Sequence, residues 1–276
     1  MISVSVVIPW CDRPELLRTL ANNSQAFLTS GVEVIIANCG GRQRIPADAL
    51  LSETGLSVRW LDISASIFNK GLALNLGASL SERDALLFLD ADVVIASPVE
   101  ELIEALNPAS FVTIASVVES SVSPRPTTTT QFVETVTHTV EFRTTAGEIH
   151  KVMTNRLDLG KRARSGPGLI LVWRADFLNV GGMNRELIGW GWDDLDLVAR
   201  LQIALGRVRR EVGSVIHLSH NDDVRHLPRG SRGESEGYNF MTCLAAYAVG
   251  DLHGTYETDV AHHASRLRVR TNRNCP

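Results

Sequence analysis

Several features that would assign the chain quickly to a class are missing from it. Its four cysteines, Cys11, Cys39, Cys243 and Cys275, contain no Cys-x-x-Cys pair. That spacing argues against a zinc site or a disulfide framework and fits reduced thiols. No apolar run approaches the about 20 residues that a bilayer-spanning helix needs. The opening MISVSVVIPW has no basic segment before its short apolar run, so it reads as a first strand and not as a secretory signal. The formal net charge is only -4, which leaves no broad basic surface for nucleic acid. A substrate anion would have to be met by a few placed cations or by a metal ion. What is present is ordinary for a globular protein: 276 residues, 44% hydrophobic and 21% charged, enough to bury the core of one large α/β domain or two small ones.

Along the chain, strand-like and helix-like segments alternate. Val4 to Ile8, Val32 to Ala37, Val58 to Leu61 and Ala85 to Leu89 are short apolar, β-branched runs that read as buried strands. Between them, Arg13 to Leu28 and Phe68 to Leu80 carry leucines at helical spacing, and Pro98 to Leu106 reads as a further helix. The alternation predicts an α/β fold with a largely parallel sheet covered by helices on both faces. Gly168 to Trp173 resumes a core strand, Ala175 to Leu178 a short helix, Asp193 to Leu205 a long one, Glu211 to Leu218 a strand and Tyr238 to Val249 a helix. The Pro- and Thr-rich SPRPTTTT suggests a flexible connector. QFVETVTHTVEF alternates as an antiparallel edge strand does, and the basic RLRVRTNRN reads as a mobile tail. A division into 1–118, 119–165 and 166–276 within one domain follows from these changes of character.

Four constellations carry chemistry. In SIFNKGLALNLGAS, Gly71 and Gly77 permit close backbone approach and Lys70 could meet a phosphate; the plain alternative is an ordinary amphipathic helix. In LLFLDADVVI, Asp90 and Asp92 follow a wholly apolar strand. Hard divalent cations take oxygen ligands, so an Asp-x-Asp at a strand end can hold such an ion over a diphosphate; the plain alternative is a polar turn. In GWGWDDLDLVARL, Asp193, Asp194 and Asp196 open a helix, where carboxylates also simply suit the dipole. The preceding Trp190 and Trp192, set among glycines, suggest an aromatic surface for a sugar face, with a carboxylate beside it able to take a proton from a hydroxyl. In VGSVIHLSHND, His217 and His220 end a strand, and imidazoles are ligands for borderline ions such as Mn²⁺.

In this order, the segments resemble the β-1,4-galactosyltransferase family and related GT-A glycosyltransferases sharing its C-terminal module. VVIPWCDRPELL looks like the family's first strand and Pro-Phe-Arg-Asn-Arg segment, and FNKGLALNLGAS its Phe-Asn-Arg helix. LDADVV stands where the family has Asp-Val-Asp. GLILVWRADFLNVGGMNRELIGWGWDDLDL follows its Gly-rich strand and Trp-Gly-Gly-Glu-Asp helix start, and VGSVIHLSH its last metal-ligand strand. The resemblance runs from Val4 to Asn221.

It implies a Rossmann-like GT-A fold with a mixed, mostly parallel sheet. It further implies a UDP-sugar donor, a carbohydrate or hydroxyl-bearing small-molecule acceptor, and Mn²⁺ as cofactor. Asp92, His217 and His220 would hold the metal; His217 replaces a methionine ligand, which should widen tolerance toward Mg²⁺. Pro9, Asp12, Arg13 and Asp90 would lie about the donor, with Trp190 closing over it; from the residues themselves, Lys70 could meet a donor phosphate and Asn38 ends a strand on the same sheet edge. Asp194 would be the catalytic base, and Asp193, Trp190 and Trp192 would meet the acceptor. Asp193 stands for a glutamate and Trp192 for a glycine of the family. With no anchor or stem in the sequence, the resemblance implies a bacterial, cytoplasmic relative, peripheral to the membrane if its acceptor is lipid-linked. A carboxylate at Asp194, where the retaining polypeptide GalNAc-transferases resemble Glu-Asn, favours inversion. A sugar-nucleotide pyrophosphorylase would require a Gly-rich basic loop after the first strand, which PWCDRPELL lacks; a non-catalytic carbohydrate binder would not need both metal clusters.

Overall fold

A computed structural model of the chain describes residues 2–43, 45, 47–121, 134–145, 147–220, 227–263, 265 and 267–271. In chain order, the first half contains β1 (Val4–Trp10), α1 (Glu15–Ser30), β2 (Glu33–Cys39), α2 (Ala47–Thr54), β3 (Val58–Ile63), α3 (Lys70–Ser79), β4 (Ala85–Phe88), β5 (Val93–Ile95), α4 (Val99–Ala105) and β6 (Ser110–Glu119). The second contains β7 (Thr135–Arg143), β8 (Ile149–Asp158), β9 (Ala163–Trp173), α5 (Arg174–Asn179), α6 (Asp193–Leu205), β10 (Val208–His217), α7 (Arg232–Ala248), α8 (Tyr256–His263) and β11 (Arg268–Thr271).

All but β7 and β8 lie on one path through an eleven-stranded sheet, β11-β3-β2-β1-β4-β9-β6-β10-β5, and β7 joins through β8 to β9. The block β3-β2-β1-β4 is parallel, as is the pair β6-β10; antiparallel joins at β4-β9 and β6-β9 knit the halves into one mixed sheet.

Why both faces are covered is visible in β1. Successive side chains of a strand point to opposite faces. Val4, Val6, Ile8 and Trp10 enter one core with Leu16, Leu20 and Phe27 of α1 and Val99 and Leu102 of α4. Val7 enters the other, with Leu74 of α3, Phe177 of α5, Leu197 and Leu201 of α6, and Tyr247 of α7. Every residue of β1 is buried, so the strand reads as a continuous apolar run. Helix α3 approaches the sheet closely because Gly77 has no side chain: a Cβ there would run into Val7. Its start is fixed by Asn69, whose side chain accepts the Leu72 N–H at 2.8 Å.

Two expectations change. The basic tail is not free over Arg268–Thr271; it pairs antiparallel with β3. Arg270 reaches Asp62 at 2.8 Å and lies 5.5 Å over the Trp60 ring, contacts between partners far apart in sequence. The edge strand expected from QFVETVTHTVEF is found as β7, with residues 131–133 outside the described residues, as is the SPRPTTTT segment. The expected helix at Tyr238 begins earlier, at Arg232, through a capping box between Ser231 and Glu234. No described helix is long and apolar enough to cross a membrane.

Candidate active site and metal centre

The Asp-x-Asp turn follows β4 and is held from below by α1. Thr19 donates to the Ala91 carbonyl at 2.7 Å and Asn23 to the Val93 carbonyl at 2.9 Å. Asn23 also accepts the Ile95 N–H at 2.8 Å. Both side chains are fully buried, so these bonds fix the turn where water cannot compete. From the other side, the Leu218 N–H donates to the Asp92 carbonyl at 2.7 Å. That bond carries the end of β10 onto the turn.

The result is one cluster. Asp92, His217 and His220 offer ligand atoms that all lie within 4.8 Å of one another. His217 Nε2 lies 3.6 Å and His220 Nε2 3.3 Å from Asp92 Oδ2. Arg13 adds a bond from its guanidinium to the same oxygen at 2.8 Å. His217 Nδ1 lies 2.6 Å from Glu119 Oε2, so its Nε2 is the atom left to face Asp92. One carboxylate and two imidazoles fit a borderline divalent cation.

The acidic helix start comes to the same cleft from the other wall. Gly191 and Trp192 have φ of 88° and 66° and turn the chain into α6. Helix α7 holds this run: Ser235 accepts the Trp190 N–H at 2.8 Å, and Asn239 donates to the Gly191 carbonyl at 2.8 Å. Lys70, at the start of α3, places its ammonium 3.0 Å from Asp194 Oδ2 and 3.0 Å from Asp90 Oδ1. Both carboxylate groups therefore border one cavity of about 750 Å³. Of the expected donor residues, Pro9, Arg13, Lys70 and Asp90 line it. So do Asp92, His217 and His220, and Trp190, Trp192, Asp193 and Asp194 on the facing wall.

The glycosyltransferase-like family 2 model matches residues 5–240. The chain belongs to that glycosyltransferase family. Its fold is similar to that of the mannosyltransferase PcManGT from Pyrobaculum calidifontis, solved with GDP-Man and Mn²⁺. The TM-score is 0.53 at 12% identity, over 96% of this chain and 76% of that one. S. aureus TarS 1-349 matches at a TM-score of 0.49 and 12% identity, over 79% of this chain and 60% of that one. No curated protein sequence matches the chain.

In this glycosyltransferase, two of the expected donor residues do not line the cavity. Asp12 accepts the N–H groups of Arg42 and Gln43 at 2.9 and 2.7 Å, and Asn38 donates to Asp62 at 3.0 Å and accepts from Gly41. Both shape the loop behind β2. Trp192 also departs from the open stacking surface expected of it. It is 7% exposed, with ring centroids 4.4 Å from Phe240 and 6.4 Å from Phe142. The ring of Trp190 carries the Arg232 guanidinium 4.1 Å over its centroid.

Charge state follows from this packing. Burial, then the charge of Asp193, pushes the Asp194 carboxyl up to about 8, against the pull of Lys70. Asp193 is raised too, by burial above all, with Lys70 opposing and Asp90 adding to the rise. Burial works to lower Lys70, but the charges of Asp194, Asp90 and Asp193 more than reverse it and hold the ammonium charged. Beside the two histidines, burial works to raise Asp92, and its close approach to His217 with the nearby positive groups turns the net shift downward. The nearby Asp92 carboxylate raises His217 in return, against burial.

Sequence reasoning missed Thr19, Asn23, Glu119 and Gly168. A Cβ on Gly168 would strike the Asp194 carboxylate, so β9 offers that side chain a bare backbone to lie against. The Gly-Pro-Gly of β9 was the available signal for Gly168; nothing local marked Glu119.

Proposed function

We propose that this chain is a metal-dependent, inverting glycosyltransferase that moves a hexose or N-acetylhexosamine from a UDP-sugar to a hydroxyl of a glycan or small-molecule acceptor. The observation that carries the reading is the convergence, in one cleft, of the Asp92–His217–His220 donor set and the Asp194 carboxylate beside Lys70. Residues 1–118 would supply the donor side and 166–276 the acceptor side, with 119–165 between them. Manganese is the ion the mixed donor set favours, with Mg²⁺ tolerated. When bound, the ion supplies Lewis-acid neutralisation of the diphosphate leaving group.

The chain's own groups do the rest. Lys70 and Arg13 supply positive charge on the donor side, where the leaving phosphate develops charge. Asp194 takes the proton of the acceptor hydroxyl as that oxygen attacks the anomeric carbon from the face opposite the diphosphate. The bond from carbon to diphosphate breaks, the new glycosidic bond forms, and one displacement inverts the centre. Asp193 and Trp190 position the acceptor, with Trp192 behind them holding the helix start. Trp190, over the cleft, excludes water that would otherwise compete as acceptor. Retention at this site would require a group other than Asp194 on the donor's face. A cytoplasmic enzyme, peripheral to a membrane for a lipid-linked acceptor, is the setting we infer.

The test is a panel of nucleotide sugars, UDP-galactose, UDP-GlcNAc, UDP-GalNAc and GDP-mannose, each with and without Mn²⁺. We expect ion-dependent release of nucleoside diphosphate from a UDP-sugar. Release of pyrophosphate instead would assign a pyrophosphorylase, and no release from any donor would leave a carbohydrate binder.

A further inference from the structure

Glu119 belongs to none of the motifs, yet it has three directional partners at the metal end of the cleft. It closes β6, and the parallel ladder places it directly opposite His217 of β10. The backbones are tied there, because the Ser120 N–H donates to the His217 carbonyl at 2.9 Å. Glu119 Oε2 lies 2.6 Å from His217 Nδ1 and accepts the Ser219 hydroxyl at 3.3 Å, while Oε1 lies 3.5 Å from an Arg164 nitrogen. These three contacts favour the orientation in which the carboxylate faces the ring.

We propose that Glu119 is a positioning residue for the cation site: it fixes His217 in the Nδ1–H tautomer and aims the Nε2 lone pair at the ion shared with Asp92 and His220. An ionised carboxylate is acceptor-only, so the proton between it and the neutral ring sits on Nδ1. The other nitrogen is then a lone pair, which is what a cation requires. A charged acceptor behind the ring also makes that lone pair more basic and holds the ring plane, and such outer partners typically contribute 10–100-fold to metal affinity. Glu119 does not reach the ion itself; it acts through His217. Its ion pair with Arg164, on β9 and lining the same cavity, joins the ends of β6 and β9 there.

The inference rests on the metal reading above, and two measurements separate them. The first needs no metal. Histidine-selective ¹⁵N NMR of the metal-free protein at pH 9 should show His217 as the Nδ1–H tautomer, assigned by comparison with His217→Ala. An Nε2–H tautomer, or a mixture, overturns the proposal. The second is titration of purified protein with Mn²⁺ alone, read by the loss of the free-ion EPR signal. Glu119→Gln keeps the size and one acceptor oxygen but removes the charge, and it should bind Mn²⁺ about 10-fold more weakly. It should also lose the single tautomer. Unchanged affinity in Glu119→Gln, with His217→Ala weakened, overturns the positioning role and leaves the metal site standing. No Mn²⁺ binding by the wild-type protein overturns both. Where Glu119→Gln does not fold, the wild-type tautomer decides.

Discussion

The Lys70 ammonium lies 3.0 Å from the Asp194 carboxylate, joining the start of α3 to the start of α6 across the cleft. The same ammonium lies 3.0 Å from Asp90, so one cation links the donor turn to the group assigned as base. Burial and Asp193 push the proton affinity of Asp194 up, and Lys70 restrains the rise.

A base acts when deprotonated. With Asp194 pushed up to about 8, kcat/KM should therefore climb with pH through a limb centred near 8 and fall on the acid side. Lys70→Met removes the restraining charge and should move that limb to higher pH. Rate profiles from pH 6 to 10 check both; a limb that stays put in Lys70→Met separates Lys70 from the base.

Asp194→Asn keeps the shape and removes the proton acceptor. Turnover should drop by about 10²-fold or more while donor binding, followed by calorimetry, is retained. Near-normal turnover would show that another group takes the proton.

Gly168 tests the positioning of the same carboxylate. Because a Cβ there would strike Asp194, Gly168→Ala should displace it and cost up to about 10²-fold in turnover. Donor KM should hardly change, since the donor turn lies on the other wall. A loss confined to donor KM would contradict this placement.

Stability should depend on a buried network behind the site. Asp196 accepts two bonds from Arg200, at 2.9 and 2.7 Å, and the Tyr247 hydroxyl at 2.7 Å, with both charged side chains almost wholly buried. Asp196→Ala leaves the Arg200 charge buried without its carboxylate, with only the Val180 carbonyl still accepting from it, which should cost about 3–5 kcal/mol. Denaturant unfolding of the two proteins measures it.

The grouping of Asp92, His217 and His220 was legible because each part lies in a short motif: an acidic pair after an apolar strand, two histidines at a strand end. The place of Asp194 on the cleft wall was legible from the acidic helix start. Trp192 was misread because a Gly-Trp-Gly-Trp run says nothing about which ring meets Phe240 and Phe142, both distant in sequence. Asp12 and Asn38 lie near the ends of β1 and β2, but their side chains bond to the backbone of residues 41–43 and to Asp62 and do not line the cleft.

The sequence by itself determined the alternating strands and helices, the two-faced core and the residue types at the strand ends, because periodicity and local chemistry act over a few neighbouring residues. Tertiary structure alone decided which of those residues share a cleft. The Asp92 carbonyl meets the Leu218 N–H, Glu119 meets His217 and Lys70 meets Asp194 only because sheet register and helix packing bring distant segments within hydrogen-bonding range. Such contacts depend on the whole sheet being assembled, and no short stretch of the chain encodes them.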